Sequence, residues 1–266
     1  MKADYEMIHL AVMPPVETPA PLIRSVSEIV AQPDYQVRLL LAGRLPRIIA
    51  HYPDEPPAVV ALKALANLGL TVFTIADAEL RQPVSPELFA HSVRIEGNQA
   101  TFTSHDGRTM TLKDSDVLLL LTGRRAGIPW EEPAAQTRVK LNLPATLATV
   151  GIPIMKRVAV EQKNAPEETV QQFIRLYDFR SDIPAVEIRQ SDFDYSFLGS
   201  RMGLSAAANI GVAVTVLREC FNGSYFDDAL LSGFQHQSRS ISGIDKVEEN
   251  CLLLARYYRT LANQSE

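Results

Sequence analysis

The sequence predicts a mixed α+β protein: an N-terminal α/β unit, a β-rich meander or partial barrel capped by an amphipathic helix, and a C-terminal helix. Three observations predict it. Strand and helix signals alternate over the first third of the chain, the pattern shortens to period two after Pro83 and Pro86, and Ser205 opens a segment with apolar residues three and four apart. With 266 residues, 46% hydrophobic and 21% charged, the chain can bury a core without covalent staples.

In order, Tyr5 to Val12 is a strand, and Thr18 with Pro19 supplies an N-cap and first-turn proline for a helix carrying Ile23, Val26, Ile29 and Val30. Asp34 to Gly43 adds a short helix. Arg47 to Ala50 is a second strand; Asp54, Pro56 and Pro57 then start a helix bearing Val59, Leu62 and Leu65, which stops at Gly69. Leu70 to Ile75 follows as a β-branched strand, and strand, helix, strand with short connections predicts a parallel crossover. Residues 1–88 therefore form an α/β domain of ferredoxin-like βαβ order.

A β-rich domain is expected over 89–232. His91 to Glu96, Ala100 to Ser104 and Thr109 to Leu112 are short strands separated by Gly97-Asn98 and Asp106-Gly107, pairs that tolerate the positive φ of hairpin turns. Val117 to Leu121 is a buried strand ended by Gly123. Gln172 to Phe179 and Ala185 to Arg189 form a hairpin through Arg180-Ser181-Asp182. Ser205 caps a helix with the stripe Ala207, Ile210, Val214, Leu217 and Phe221, and Asp227-Asp228 marks a turn or cap. Over 233–266 a helix from Ser242 turns Ile244, Val247, Cys251, Ala255 and Tyr258 inward. Its acids Asp245, Glu248 and Glu249 come first and Arg256 and Arg259 last, in the order the helix dipole favours.

About seven strands and a capping helix after residue 88 resemble the pleckstrin-homology and GRAM superfold in element order. The runs LPATLATVGIPIMKRV at Leu143 to Val158, FIRLYDF at Phe173 to Phe179, FDYSFLG at Phe193 to Gly199, Asn209 and FDDALL at Phe226 to Leu231 resemble an uncharacterised family of bacterial hypothetical proteins. That likeness covers the second half of the chain, and its motifs are apolar and turn-forming, so it implies a fold and no activity. The family pattern has a Pro-Trp pair beside the first meander; here Leu112-Lys113 stands there and Trp130 comes later.

Several function classes lose their requirements. The net charge is −5 with Lys and Arg scattered, which argues against a nucleic-acid footprint. Cys220 and Cys251, with no CxxC spacing, predict core thiols and no zinc site. His9, His51, His91, His105 and His236 lie far apart, none in HExxH or HxH spacing, so no metal ligand is predicted. No dinucleotide, P-loop or nucleophile-elbow motif occurs. Asp4 and Glu6 before Pro14-Pro15 are not a signal peptide, and Gly203 to Leu217 is too short and polar to span a bilayer. A cytoplasmic location, no cofactor and no catalytic residue follow.

The candidate binding residues are Arg124, Arg125, Lys156, Arg157, Arg189, Asp192, Asp194 and Tyr195. The doublets Arg124-Arg125 and Lys156-Arg157 suit an anion; Asp192, Asp194 and Tyr195 sit where a strand passes into a helix, offering either a ligand site or turn bonds. The favoured reading is a non-enzymatic binding or scaffold protein whose partner is another protein or a small anionic ligand. One alternative is a metal-dependent phosphodiesterase or nuclease using Asp182 and Glu187 beside Arg189. Another is a peripheral phosphate or lipid-headgroup module. The apolar stretch from Leu141 to Met155 is a candidate homo-oligomer contact.

Overall fold

The computed structural model describes residues 7–126, 138–141, 155–158, 170–232 and 246–265. Trp130, Ile244, Asp245, His236 and all but the ends of the stretch Leu141 to Met155 lie outside them. The fold is mixed α+β, and the chain forms two units, Ala126–Gln171 and the remainder.

The larger unit begins with β1 (Ile8–Val12), α1 (Ala20–Val30), α2 (Asp34–Leu40), β2 (Arg47–Tyr52), α3 (Glu55–Ala66), β3 (Val72–Ala76) and the short α4 (Asp77–Arg81). The expected crossover is present in a split form. β2 and β3 run in one direction, yet β1 lies between them, antiparallel to both, in the order β2-β1-β3. The central place falls to β1 because Leu10, Ala11 and Val12 are all fully buried and need cover on both faces. Leu10 and Val12 meet Ile23, Val26, Ile49 and Leu65 on one side, while Ala11 meets Phe73, Ile75, Leu252 and Leu253 on the other. Pro19, not Thr18, occupies the N-cap of α1, and α3 buries Ala58, Ala61 and Leu65 in preference to Val59.

After β4 (Leu88–Ala90), the meander appears as β5 (Ser92–Glu96), β6 (Gln99–Thr103) and β7 (Thr109–Lys113), paired antiparallel in that order. Gly97 and Gly107 take φ +59° and +82° at its two turns, as the dipeptides predict. β8 (Val117–Ala126) then runs on through Gly123 instead of stopping there. In the smaller unit β9 (Arg138–Leu141) pairs antiparallel with β10 (Met155–Val158), with Lys156 opposite Lys140 and Arg157 opposite Val139.

The remaining strands are β11 (Val170–Asp178), β12 (Val186–Arg189) and β13 (Tyr225–Leu230), with α5 (Ala206–Cys220) and α6 (Lys246–Ser265). They do not extend the meander. A separate five-stranded sheet forms in the order β13-β8-β11-β12-β4, in which β12 pairs parallel with β4 and β13 parallel with β8. The Asp227-Asp228 pair accordingly lies within a strand. Asp227 is buried and accepts from the Tyr258 hydroxyl at 2.8 Å, which explains a carboxylate inside a sheet.

Each face of this sheet has its own cover. Leu120, Ile174, Leu176, Val186 and Ile188 face the meander and α5, where they meet Phe102, Ile210, Ala213 and Leu217. Full burial of an Ile or Leu side chain contributes about 1.5–3 kcal/mol, so this face anchors the unit. Ser205 caps α5, its hydroxyl accepting from Ala208 N at 3.2 Å. The helix is rotated from the expected stripe: Ala213 is buried, Val214 half-buried and Ala207 exposed.

The opposite face carries Leu119, Leu121, Phe173 and Tyr177 against Cys251, Leu254 and Ala255 of α6. Because α6 also packs on the N-terminal sheet, six successive residues from Asn250 to Ala255 are buried. Arg256 and Arg259 do not end the helix, which runs to Ser265. Arg256 reaches Asp182 and Glu79, and Arg259 reaches Asp182, so tertiary pairing places them rather than the dipole. No helix among the described residues is long and apolar enough to cross a membrane.

Cys220 and Cys251 are both buried, and burial pushes the Cys251 thiol up to about 12. Neither thiol should react with a disulfide reagent at mildly alkaline pH in the native protein, and both should react in denaturant. Equal rates in the two states would mean that α5 and α6 do not cover the sheet.

Candidate functional site

The two arginines of the Arg124-Arg125 doublet at the end of β8 have different partners. Arg125 turns toward α6, its Nη2 donating to Glu187 Oε1 at 2.5 Å. There it joins a buried ion cluster. Arg175 on β11 stands opposite Glu187 on β12; its Nε donates to Glu187 Oε2 at 2.8 Å, and Nη1 and Nη2 donate to Glu248 of α6 at 2.7 Å each. Arg189 Nε donates to Glu187 Oε1 at 2.8 Å, and its guanidinium stacks on Phe89 at 4.0 Å. Burial on its own would raise the Glu187 carboxyl; the charges of Arg175 and Arg125 and the guanidinium hydrogen bonds outweigh it and hold the group below its ordinary range.

This pairing uses up the acids expected to hold a metal. Both oxygens of Glu187 accept from arginines, and both oxygens of Asp182 accept from Arg256 Nε and Arg259 Nη1. The two carboxylates answer to different guanidiniums and hold no common site. Arg189, proposed as a binding residue, is a member of the cluster.

The candidates after β12 also separate. Tyr195 is buried and its hydroxyl donates to Gln190 O at 3.0 Å. Asp194 accepts from Ser196 N and Ser196 Oγ, each at 2.9 Å, and starts a 3₁₀ turn. Hydrogen bonds from Ser196 hold its carboxyl below the usual range. Asp192 faces the rings of His91 and His105. Lys156 and Arg157 belong to the smaller unit, and their side chains lie outside the described residues.

Arg124 leads to a basic cavity of the larger unit. It borders a cavity of about 230 Å³ together with Arg44 in the loop after α2, Arg47 at the start of β2, Leu230 of β13 and Asn250 of α6. With the Gln172 amide turned to present its oxygen, Arg124 donates to it from Nε and Nη2 at 3.3 Å. Among the described residues no carboxylate pairs with Arg44, Arg47 or Arg124, and the buried Asn250 Nδ2 meets no acceptor. A second groove of about 380 Å³ beside the end of α5 is lined by one charge of each sign, Arg218, which stacks on Phe226, and Glu219, which pairs with Arg201.

Arg44, Arg47 and Asn250 carry no signal in the sequence that ties them to Arg124. Two arginines flanking Leu45-Pro46 look like ordinary loop charge, and only the packing of β2 near β8 and α6 brings them together. The histidine pairs were hidden in the same way. His9 and His51 are cross-strand partners in the β1–β2 register, with Nδ1 atoms 2.6 Å apart, and His9 Nε2 lies 3.1 Å from Asp77 Oδ1.

Comparison with known proteins sets no relative beside this geometry: no family model, no curated protein and no solved structure matches the chain.

Proposed function

We propose that this is a non-enzymatic binding protein for a small anion, a phosphate or a carboxylate, held in the cavity bordered by Arg44, Arg47, Arg124 and Asn250. The observation that carries this reading is three guanidiniums on one cavity with no carboxylate partner among the described residues. Like charges gathered without a counter-charge repel one another, and an anion accepting charge-assisted hydrogen bonds removes that cost. The volume, about 230 Å³, is below the roughly 300–1,000 Å³ of sites for drug-sized ligands and suits a compact ion. A net charge of −5 works against attraction to an anionic membrane, which favours a soluble anion over a lipid headgroup.

Isothermal titration calorimetry with inorganic phosphate and with citrate tests the reading, alongside sedimentation with vesicles containing an anionic phospholipid. A hydrogen bond to a charged group contributes about 1.5–3 kcal/mol, so Arg47→Gln and Arg124→Gln should each weaken binding about tenfold or more. Binding to vesicles but not to the free ions would identify a headgroup as the source of the anion. Equal affinity of the variants and the parent protein, or no binding to any of the three probes, overturns the proposal.

A further inference from the structure

We infer that His91, His105 and Asp192 form a site for a divalent transition-metal ion, with zinc the ion its ligands suit best. The three come from distant parts of the sequence. His91 lies between β4 and β5, His105 in the β6–β7 turn and Asp192 just after β12. One ligand atom from each lies within 4.8 Å of the others. His105 Nε2 is 2.8 Å from Asp192 Oδ1, and the two imidazoles stack with centroids 3.8 Å apart.

The backbone fixes this convergence. His91 N donates to Thr103 O at 2.8 Å, Asp194 N to His91 O at 2.7 Å, and Asp192 N to Arg189 O at 3.2 Å, so each ligand is anchored to the segment beside it. His91 Nδ1 donates to the main-chain oxygen of Asp192 at 3.1 Å, which holds that ring over His105. Asp194 is occupied with Ser196 and stands outside the ligand set.

Zinc bonds to imidazole nitrogen and carboxylate oxygen are about 2.0–2.2 Å, which sets tetrahedral ligands roughly 3.3 Å apart. Ligand atoms already within 4.8 Å of one another reach that spacing by rotation of the side-chain torsions, those of His105 and Asp192 being exposed. Two neutral imidazoles and one carboxylate are a donor set suited to zinc, and three protein ligands leave a fourth position for water or an anion. A hydrogen bond between His105 and Asp192 accounts for that pair alone. The bond from half-buried His91 Nδ1 to the Asp192 main chain sets the second ring against the first, with Nε2 the nitrogen it offers to an ion shared by all three.

Direct titration of the metal-free full chain with Zn²⁺, and with Co²⁺ for its visible ligand-field bands, tests the site. The expected result is one ion bound, tetrahedral Co²⁺ bands, and a melting temperature raised by Zn²⁺. His105→Ala and Asp192→Asn, both at exposed positions, should each weaken binding about tenfold or more and abolish the thermal shift. His51→Ala, which removes an outer member of the other histidine pair, should leave binding unchanged. Absence of Zn²⁺ binding by the parent protein, or binding by His105→Ala and Asp192→Asn equal to it, overturns the inference. Loss in His51→Ala alone would overturn it too and move the ion to the β1–β2 pair.

Discussion

Glu187→Ala should destabilise the protein by about 3–5 kcal/mol, the usual cost of stranding a buried charge. Glu187 is buried in the five-stranded sheet and receives Arg125, Arg175 and Arg189. Removing it leaves Arg175, itself 1% exposed, to share Glu248 with Arg125, and leaves Arg189 with no carboxylate among the described residues. Arg175→Met should cost less, because Glu187 keeps Arg125 and Arg189. The double variant Arg175→Met with Glu187→Leu should recover most of the loss, since apolar side chains of similar volume replace a buried pair at little or no net cost. Urea denaturation of the three variants reads this directly; a single Glu187→Ala loss below about 1 kcal/mol would mean that water enters beneath α6.

The same carboxylate gives stability a sign in acid. Its folded pKa lies below the ordinary 4.5, so between the two values the unfolded chain binds the proton and the folded chain does not. The stabilisation is therefore complete above about 4.5 and is lost as pH falls through the folded value. Glu187→Ala should flatten that part of the pH–stability curve. An unchanged acid limb would assign it to other carboxylates.

The local signals carried most of the elements and little of their arrangement. Gly97-Asn98 and Asp106-Gly107 specify the meander because a turn is a property of adjacent residues, and Ser205 with its apolar spacing specifies α5 for the same reason. Pairing across the chain left no such mark. β8 finds β13 about a hundred residues later, and β1 enters between β2 and β3, on the strength of two-sided burial that an apolar run cannot distinguish from a buried helix. The ion cluster was hidden by alternation itself: Arg175 between Ile174 and Leu176, and Glu187 between Val186 and Ile188, have the pattern of a solvent-facing strand edge. α6 covers that face and turns surface-type charges into interior ones. Of the basic doublets, Arg124 leads to the cavity, but its partners Arg44 and Arg47 stand some eighty residues earlier.

Gly123→Ala should cost about 1–3 kcal/mol, as overpacking of a close-packed interior does. A Cβ built at Gly123 would lie 2.6 Å from Phe173 Cζ and 2.9 Å from Leu230 Cβ, distances at which something must move. Phe173 has nowhere to go: it is 1% exposed, and the guanidiniums of Arg125 and Arg175 lie 5.6 and 5.1 Å from its ring centre. Leu230 is the register partner of Gly123 on β13, so its Cβ position is set by the backbone. Gly211→Ala supplies the contrast. A Cβ there meets nothing, the site is an exposed interior position of α5, and the change should stabilise by about 0.5–1 kcal/mol. Because Phe173 links Gly123 to the ion cluster, Gly123→Ala and Glu187→Ala should combine non-additively, by about 0.5 kcal/mol or more, whereas Gly211→Ala should add to either. Strict additivity of the first pair would separate the glycine's close approach from the charges packed on the same ring.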